Sequence, residues 1–105
     1  MIVNGKEYPL WGQFVEKQDE WIGGTLKETG YGETITTKIT GIHLTPNGDD
    51  SAFFTVVGED FDCGFDVQYG GIGGDDGDKD WLIFHGYGGH TWKMKKPEKK
   101  QFGNI

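Results

Sequence analysis

"SAFFTVVGEDFDCGFDVQY", residues Ser51 to Tyr69, decides the fold class. Phe61, Cys63, Phe65, Val67 and Tyr69 alternate with Asp62, Gly64, Asp66 and Gln68, and a period of two sends each set to its own face of an extended chain. This is the pattern of a half-buried antiparallel strand. The preceding "SAFFTVV" is apolar on both faces and so reads as a strand that is central or packed on both sides. Gly58-Glu59-Asp60 closes the two into a hairpin.

Upstream, "TITTKITGIHL" puts Ile35, Thr37 and Ile39 on one parity and Ile42 and Leu44 on the other. The change falls at Gly41, where an inserted residue would form a β-bulge and re-aim the side chains beyond it. "TPNGDD" is a turn cluster, and "KETGYGE" reads as a loose connection. Near the start, Asn4-Gly5 sits between short apolar-polar segments, a strong two-residue hairpin signal because both central positions of a type I′ turn need positive φ. Leu10, Trp11, Phe14, Val15, Trp21 and Ile22 come close to a helical period after Pro9, but Gly12, Gly23 and Gly24 each weaken a helix. Helix and hairpin both remain open for this stretch, with the glycines favouring the hairpin. Downstream, "WLIFHGY" is a strand apolar on both faces, "GGH" turns it, and "TWKMKK" alternates Trp92 and Met94 against Thr91, Lys93 and Lys95. The fold expected is mainly β: a small antiparallel β-sandwich or partly open barrel of about six to eight strands, with at most one short helix.

The chain has 105 residues, enough for one core and no second. Residues 1–95 read as a single β-rich domain and 96–105 as a lysine-rich, flexible tail. The 7 Phe, 4 Trp and 4 Tyr make the expected core aromatic. With no basic segment followed by an apolar run at the start, and with the single Cys63 unable to form an internal disulfide, a cytoplasmic setting is expected. Cys63 lies in the apolar row of its strand and reads as a buried small hydrophobe rather than a nucleophile.

Charge is unevenly distributed. Residues 1–92 carry 16 acids and five lysines, net −11, whereas 93–105 carry five lysines and Glu98, net +4; there is no arginine. An acidic body without guanidinium groups argues against direct nucleic-acid binding and for a basic protein surface as partner, and with nowhere eighteen apolar residues in a row no membrane association is expected.

The densest run of chemistry is "YGGIGGDDGDKDW", Tyr69 to Trp81. Asp76, Asp78 and Asp80 begin like an EF-hand loop, but Trp81 stands where its sixth-position glycine belongs and Tyr87 where its closing glutamate belongs. Nor is it a phosphate cradle, since the glycine spacing is wrong and the aspartates would repel the ligand. The residues Asp62, Asp66, Asp75, Asp76, Asp78 and Asp80 are candidate contacts to a protein partner. A second glycine cluster, "FHGYGGHTWKMK", offers rings and donors for a nucleotide-like or sugar ligand through His85, Tyr87, His90, Trp92 and Lys93. No metal set is expected, as His85, His90 and Cys63 lack a supporting motif. Asp62 and Asp66, roughly 13 Å apart at about 3.3 Å per residue, are too far apart for a glycosidase pair. No catalytic residue and no cofactor is expected.

The expected function is that of a small, acidic, non-enzymatic binding or inhibitor protein, of the kind made by phages and mobile elements against host defence or as immunity proteins. The alternatives are a protein that binds or sequesters a small molecule and a structural subunit of a larger, homo-oligomeric assembly.

Overall fold

A computed structural model describes residues 1–68, 71–73 and 81–98. Its first element is the expected hairpin: β1 (Ile2–Val3) pairs with β2 (Lys6–Glu7) across Asn4 and Gly5, whose φ angles of 52° and 77° are those of a type I′ turn. The hairpin is tied down far along the chain. The Asn4 amide donates to the Gly48 carbonyl, and Tyr8 Oη donates to the Asp50 carbonyl at 3.0 Å.

The stretch whose glycines favoured a hairpin is instead helix α1 (Pro9–Glu16), followed by a 3-10 turn at Gln18–Glu20. Proline opens α1, where its missing N–H costs nothing. The glycines that argued against a helix have other reasons to be there. A Cβ on Gly12 would stand 2.5 Å from Met1 Cβ, so this glycine lets the helix pack on the chain start, while Gly23 and Gly24 lie beyond the helix. At Gly24 a Cβ would meet the Lys95 carbonyl oxygen at 2.0 Å.

The remaining strands form one antiparallel sheet: β3 (Thr25–Gly30), β4 (Glu33–Asn47), β5 (Ser51–Gly58), β6 (Asp62–Asp66), β7 (Gly71–Gly73), β8 (Leu82–His85) and β9 (Thr91–Lys95), in the order β6-β5-β4-β3-β9-β8-β7. The segment read as a loose connection is a second tight hairpin. Tyr31 and Gly32, with φ of 52° and 79°, join β3 directly to β4. The parity change at Gly41 is a real irregularity, with the β4–β5 register slipping between Ile39 and Gly41. The 15-residue β4 pairs with β3 through Glu33–Lys38 and with β5 from Ile39 onward, so the bulge carries it round a corner between two halves of the sheet.

That corner curls the sheet into a partly open barrel. Phe65 on the marginal strand β6 stacks on Trp92 of β9 at 5.0 Å between centroids, although three strands separate them in the sheet order. Phe54, Phe65 and Phe84 meet inside at 5.5–5.7 Å, and Trp11 of α1 plugs the interior at 5.2 Å from Phe54. Tilted pairs of this kind among Trp11, Phe54, Phe65 and Phe84 suit ring quadrupoles better than face-to-face sandwiches. On β6, Cys63, Phe65 and Val67 are buried as the alternation required. β5 does lie between two strands, but it packs on one face only: Ala52, Phe54 and Val56 are buried, whereas Phe53 is 41% exposed on the other face. Among the described residues no helix is long and apolar enough to cross a membrane.

Candidate functional site

A concavity lies where the 3-10 segment, the start of β8 and the end of β9 meet. It is a cleft of about 650 Å3 lined by Phe14, Trp21, Trp81 and Leu82, by Lys95 and Lys96, and by Pro97 and the carboxylate-bearing Glu98. Trp21 reaches it because the 3-10 turn swings the chain away from α1, leaving the indole 6.1 Å from Phe14. Trp81 directly precedes β8 and so emerges beside Lys95 of β9.

Cations sit over both indoles. Lys27 Nζ is 4.6 Å and Lys95 Nζ 5.6 Å from the Trp81 ring centroid, and Lys96 Nζ is 5.2 Å from that of Trp21. Ammonium groups over indole faces are attracted by the ring quadrupole. Lys96 is also held by Glu20 at 3.0 Å; that hydrogen bond first, and the lysine charge second, keep the Glu20 carboxyl below its usual range. Lys96 belongs to the segment expected to be a flexible tail; residues 96–98 are exposed and line the cleft, and 99–105 lie outside the described residues.

The structure divides the ligand-binding candidates between two sides of the sheet. His85 and Lys93 occupy outward positions, whereas Trp92 is buried among the core rings, its Nε1–H donating to a Glu28 carboxylate oxygen at 2.7 Å. His90 stacks on Trp92 at 6.0 Å and takes the exposed Tyr31 ring edge-on at 5.1 Å. Tyr87 opens a 3-10 turn between β8 and β9, made tight because a Cβ on Gly86 would meet Trp92 Cζ3 at 2.0 Å. A recess of about 150 Å3 beside His90 is lined by Glu28, Tyr31 and Glu33.

Of the acidic candidates, Asp75, Asp76, Asp78 and Asp80 lie outside the described residues, as does the calcium-like spacing they form. Asp62 is exposed on β6. Asp66 is occupied internally, accepting from Ser51 Oγ, from Asn47 Nδ2 at 2.5 Å and from the Gln68 N–H at 2.9 Å. Desolvation alone would raise its carboxyl, but the bonds from Ser51, Gln68 and Asn47 outweigh it and hold the pKa below the usual value. Burial, reinforced by the nearby Glu28 carboxylate, pushes the Cys63 thiol far above its ordinary range, so it offers no thiolate. Among the described residues no group of three His, Cys, Asp or Glu side chains could hold a metal.

Trp21, Trp81, Lys27 and Lys96 were not singled out as site residues by sequence pattern. The available signal was two tryptophans, each adjoining a strand or turn boundary rather than lying within an alternating row. No protein-family model, no curated protein and no solved structure matches the chain.

Proposed function

We propose that this protein binds a small, planar, anionic molecule of nucleotide type in the cleft between Trp21 and Trp81. The observation that carries this reading is the combination of two indoles walling one cleft with lysine ammonium groups over both. A planar ring gains roughly 1–3 kcal/mol by stacking on an aromatic side chain. Lys95 and Lys96 would then turn from the indoles to the ligand's negative charge. The cleft volume of about 650 Å3 falls within the range usual for small-molecule sites.

The role is binding or sequestration rather than catalysis, in a reducing, cytoplasmic setting suited to the unpaired Cys63. Inhibition of a basic protein surface has less support, because Asp66, one of its expected contacts, already spends its oxygens on Ser51, Asn47 and Gln68.

Isothermal titration calorimetry with mononucleotides, cyclic dinucleotides and neutral sugars tests this reading. Binding of a nucleotide that disappears in Trp81→Ala and weakens in Lys96→Gln is the expected result. Heat from sugars alone, or nucleotide binding indifferent to Trp81→Ala, would rule out the cleft as a nucleotide site.

A further inference from the structure

Among the described residues, the strand registers place an array of lysines, threonines and His85 on the outer face of β4, β3, β9 and β8. Leu26, Thr37, Trp92 and Met94 point inward and are buried, so their strand neighbours point out. Reading across the sheet, one rung runs Lys38, Thr25, Lys95, with Trp81 directly preceding β8 at the same level. The next runs Thr36, Lys27, Lys93 and the buried Ile83, and the third runs Thr34, Thr29, Thr91, His85. Four lysines and five threonines thus share one face of a chain whose net charge is −7. Among the described residues no carboxylate occupies it.

This face carries a cost in the protein alone. Lys27 and Lys93 are directly opposed cross-strand partners, an arrangement that is destabilising for like charges. Neither ion pair found among the described residues involves any of the four lysines. An anion laid across the rungs would relieve that repulsion. Rungs repeat about every 6.6 Å and strands lie about 4.8 Å apart, so the ammonium groups form a patch two rungs deep, bordered by hydroxyl donors.

We infer that this face binds a segment of single-stranded nucleic acid, its phosphates on Lys38, Lys27, Lys93 and Lys95 and one base stacked at Trp81. Charge complementarity points to a polyanion, and the ring at the corner points to unpaired bases, which stack on aromatic side chains without sequence readout. The acidic body and the missing arginine argued against nucleic acid for the chain as a whole; on this one face lysine can still meet phosphate as a point charge. The inference goes beyond the nucleotide cleft, because Lys38 and Lys93 do not line that cleft. The acidic remainder of the chain repels the strand at long range, so binding is short-ranged and strongly salt-dependent.

The test is fluorescence anisotropy of a fluorescein-labelled twelve-residue oligothymidylate, titrated at several salt concentrations. The wild-type protein should bind at low salt with log K falling against log salt at a slope of about −3, roughly 0.7 for each of four phosphates. Lys38→Glu/Lys93→Glu should abolish binding, and the milder Lys38→Thr/Lys93→Thr, which retains strand propensity and serves if the first variant misfolds, should at least halve the slope. Lys17→Glu, off this face, should change little, and both double variants should keep any mononucleotide binding by the cleft. The inference falls if the oligonucleotide does not bind at low salt, or if Lys17→Glu weakens it as much as the face variants do. It falls equally if polyglutamate displaces the oligonucleotide, since the face would then serve an acidic protein.

Discussion

The four tryptophans divide into two pairs that the chain treats oppositely. Trp11 and Trp92, 8% and 7% exposed, are packed among Phe54, Phe65 and Phe84, and the one polar atom of Trp92 is satisfied by Glu28. Trp21 and Trp81 keep part of their rings open in the cleft and are met by lysines rather than by other core rings on those faces. The same side chain is structural in one place and available for recognition in the other. The roles separate according to whether neighbouring strands close over the ring, which burial and ring partners report and residue type does not.

The sharpest way to break this division is to truncate a ring from each pair. Trp11→Ala empties the middle of the aromatic cluster and should cost about 3–5 kcal/mol of stability, read from chemical denaturation. Trp81→Ala removes no core contact and should cost no more than about 1 kcal/mol, chiefly its cation–π pairing with Lys27 and Lys95. Equal losses from the two variants would mean that Trp81 is a core residue and the cleft a packing defect.

A smaller effect sharpens the comparison through pH. Glu20 holds Lys96 over Trp21, and its carboxyl titrates below the usual value of 4.5 because the charged form is the one bonded to Lys96. A depressed folded-state pKa means that the contact is fully present above the ordinary value and is lost as pH falls through the lowered one. In NMR spectra the Trp21 indole N–H should therefore shift on acidification through that window while that of Trp11 stays in place, and Glu20→Gln should remove the Trp21 response. Movement of both signals together would show that acid loosens the whole fold rather than the cleft.

Much of the fold is legible because it is local. The inward row of Cys63, Phe65 and Val67 comes from a two-residue period, and the Asn4-Gly5 turn from the φ angles those residues tolerate. The bulge near Gly41 shows as a parity change in one segment. The misreadings share a cause. Gly12 weakens a helix by propensity, but it stands inside one because Met1 occupies the space a side chain would fill, a contact invisible in local pattern. Tyr31 takes positive φ in a tight turn, a conformation that composition would assign to glycine or asparagine. The site was less legible than the fold, because Trp21, Trp81 and Lys27 are far apart in the chain and no local pattern brings their side chains to one place.

By itself, then, the amino-acid sequence determined the β class, the inward face of β6 and β9, the opening hairpin and the corner in β4, since each depends on dihedral preferences and side-chain alternation over a few residues. Only the tertiary structure decided that β3 pairs with β9, that α1 plugs the barrel, that two of four tryptophans share a cleft and that four lysines of an acidic chain gather on one face. Those outcomes turn on which distant segments become neighbours, and that is set by packing one aromatic core from all the strands at once rather than by any single stretch.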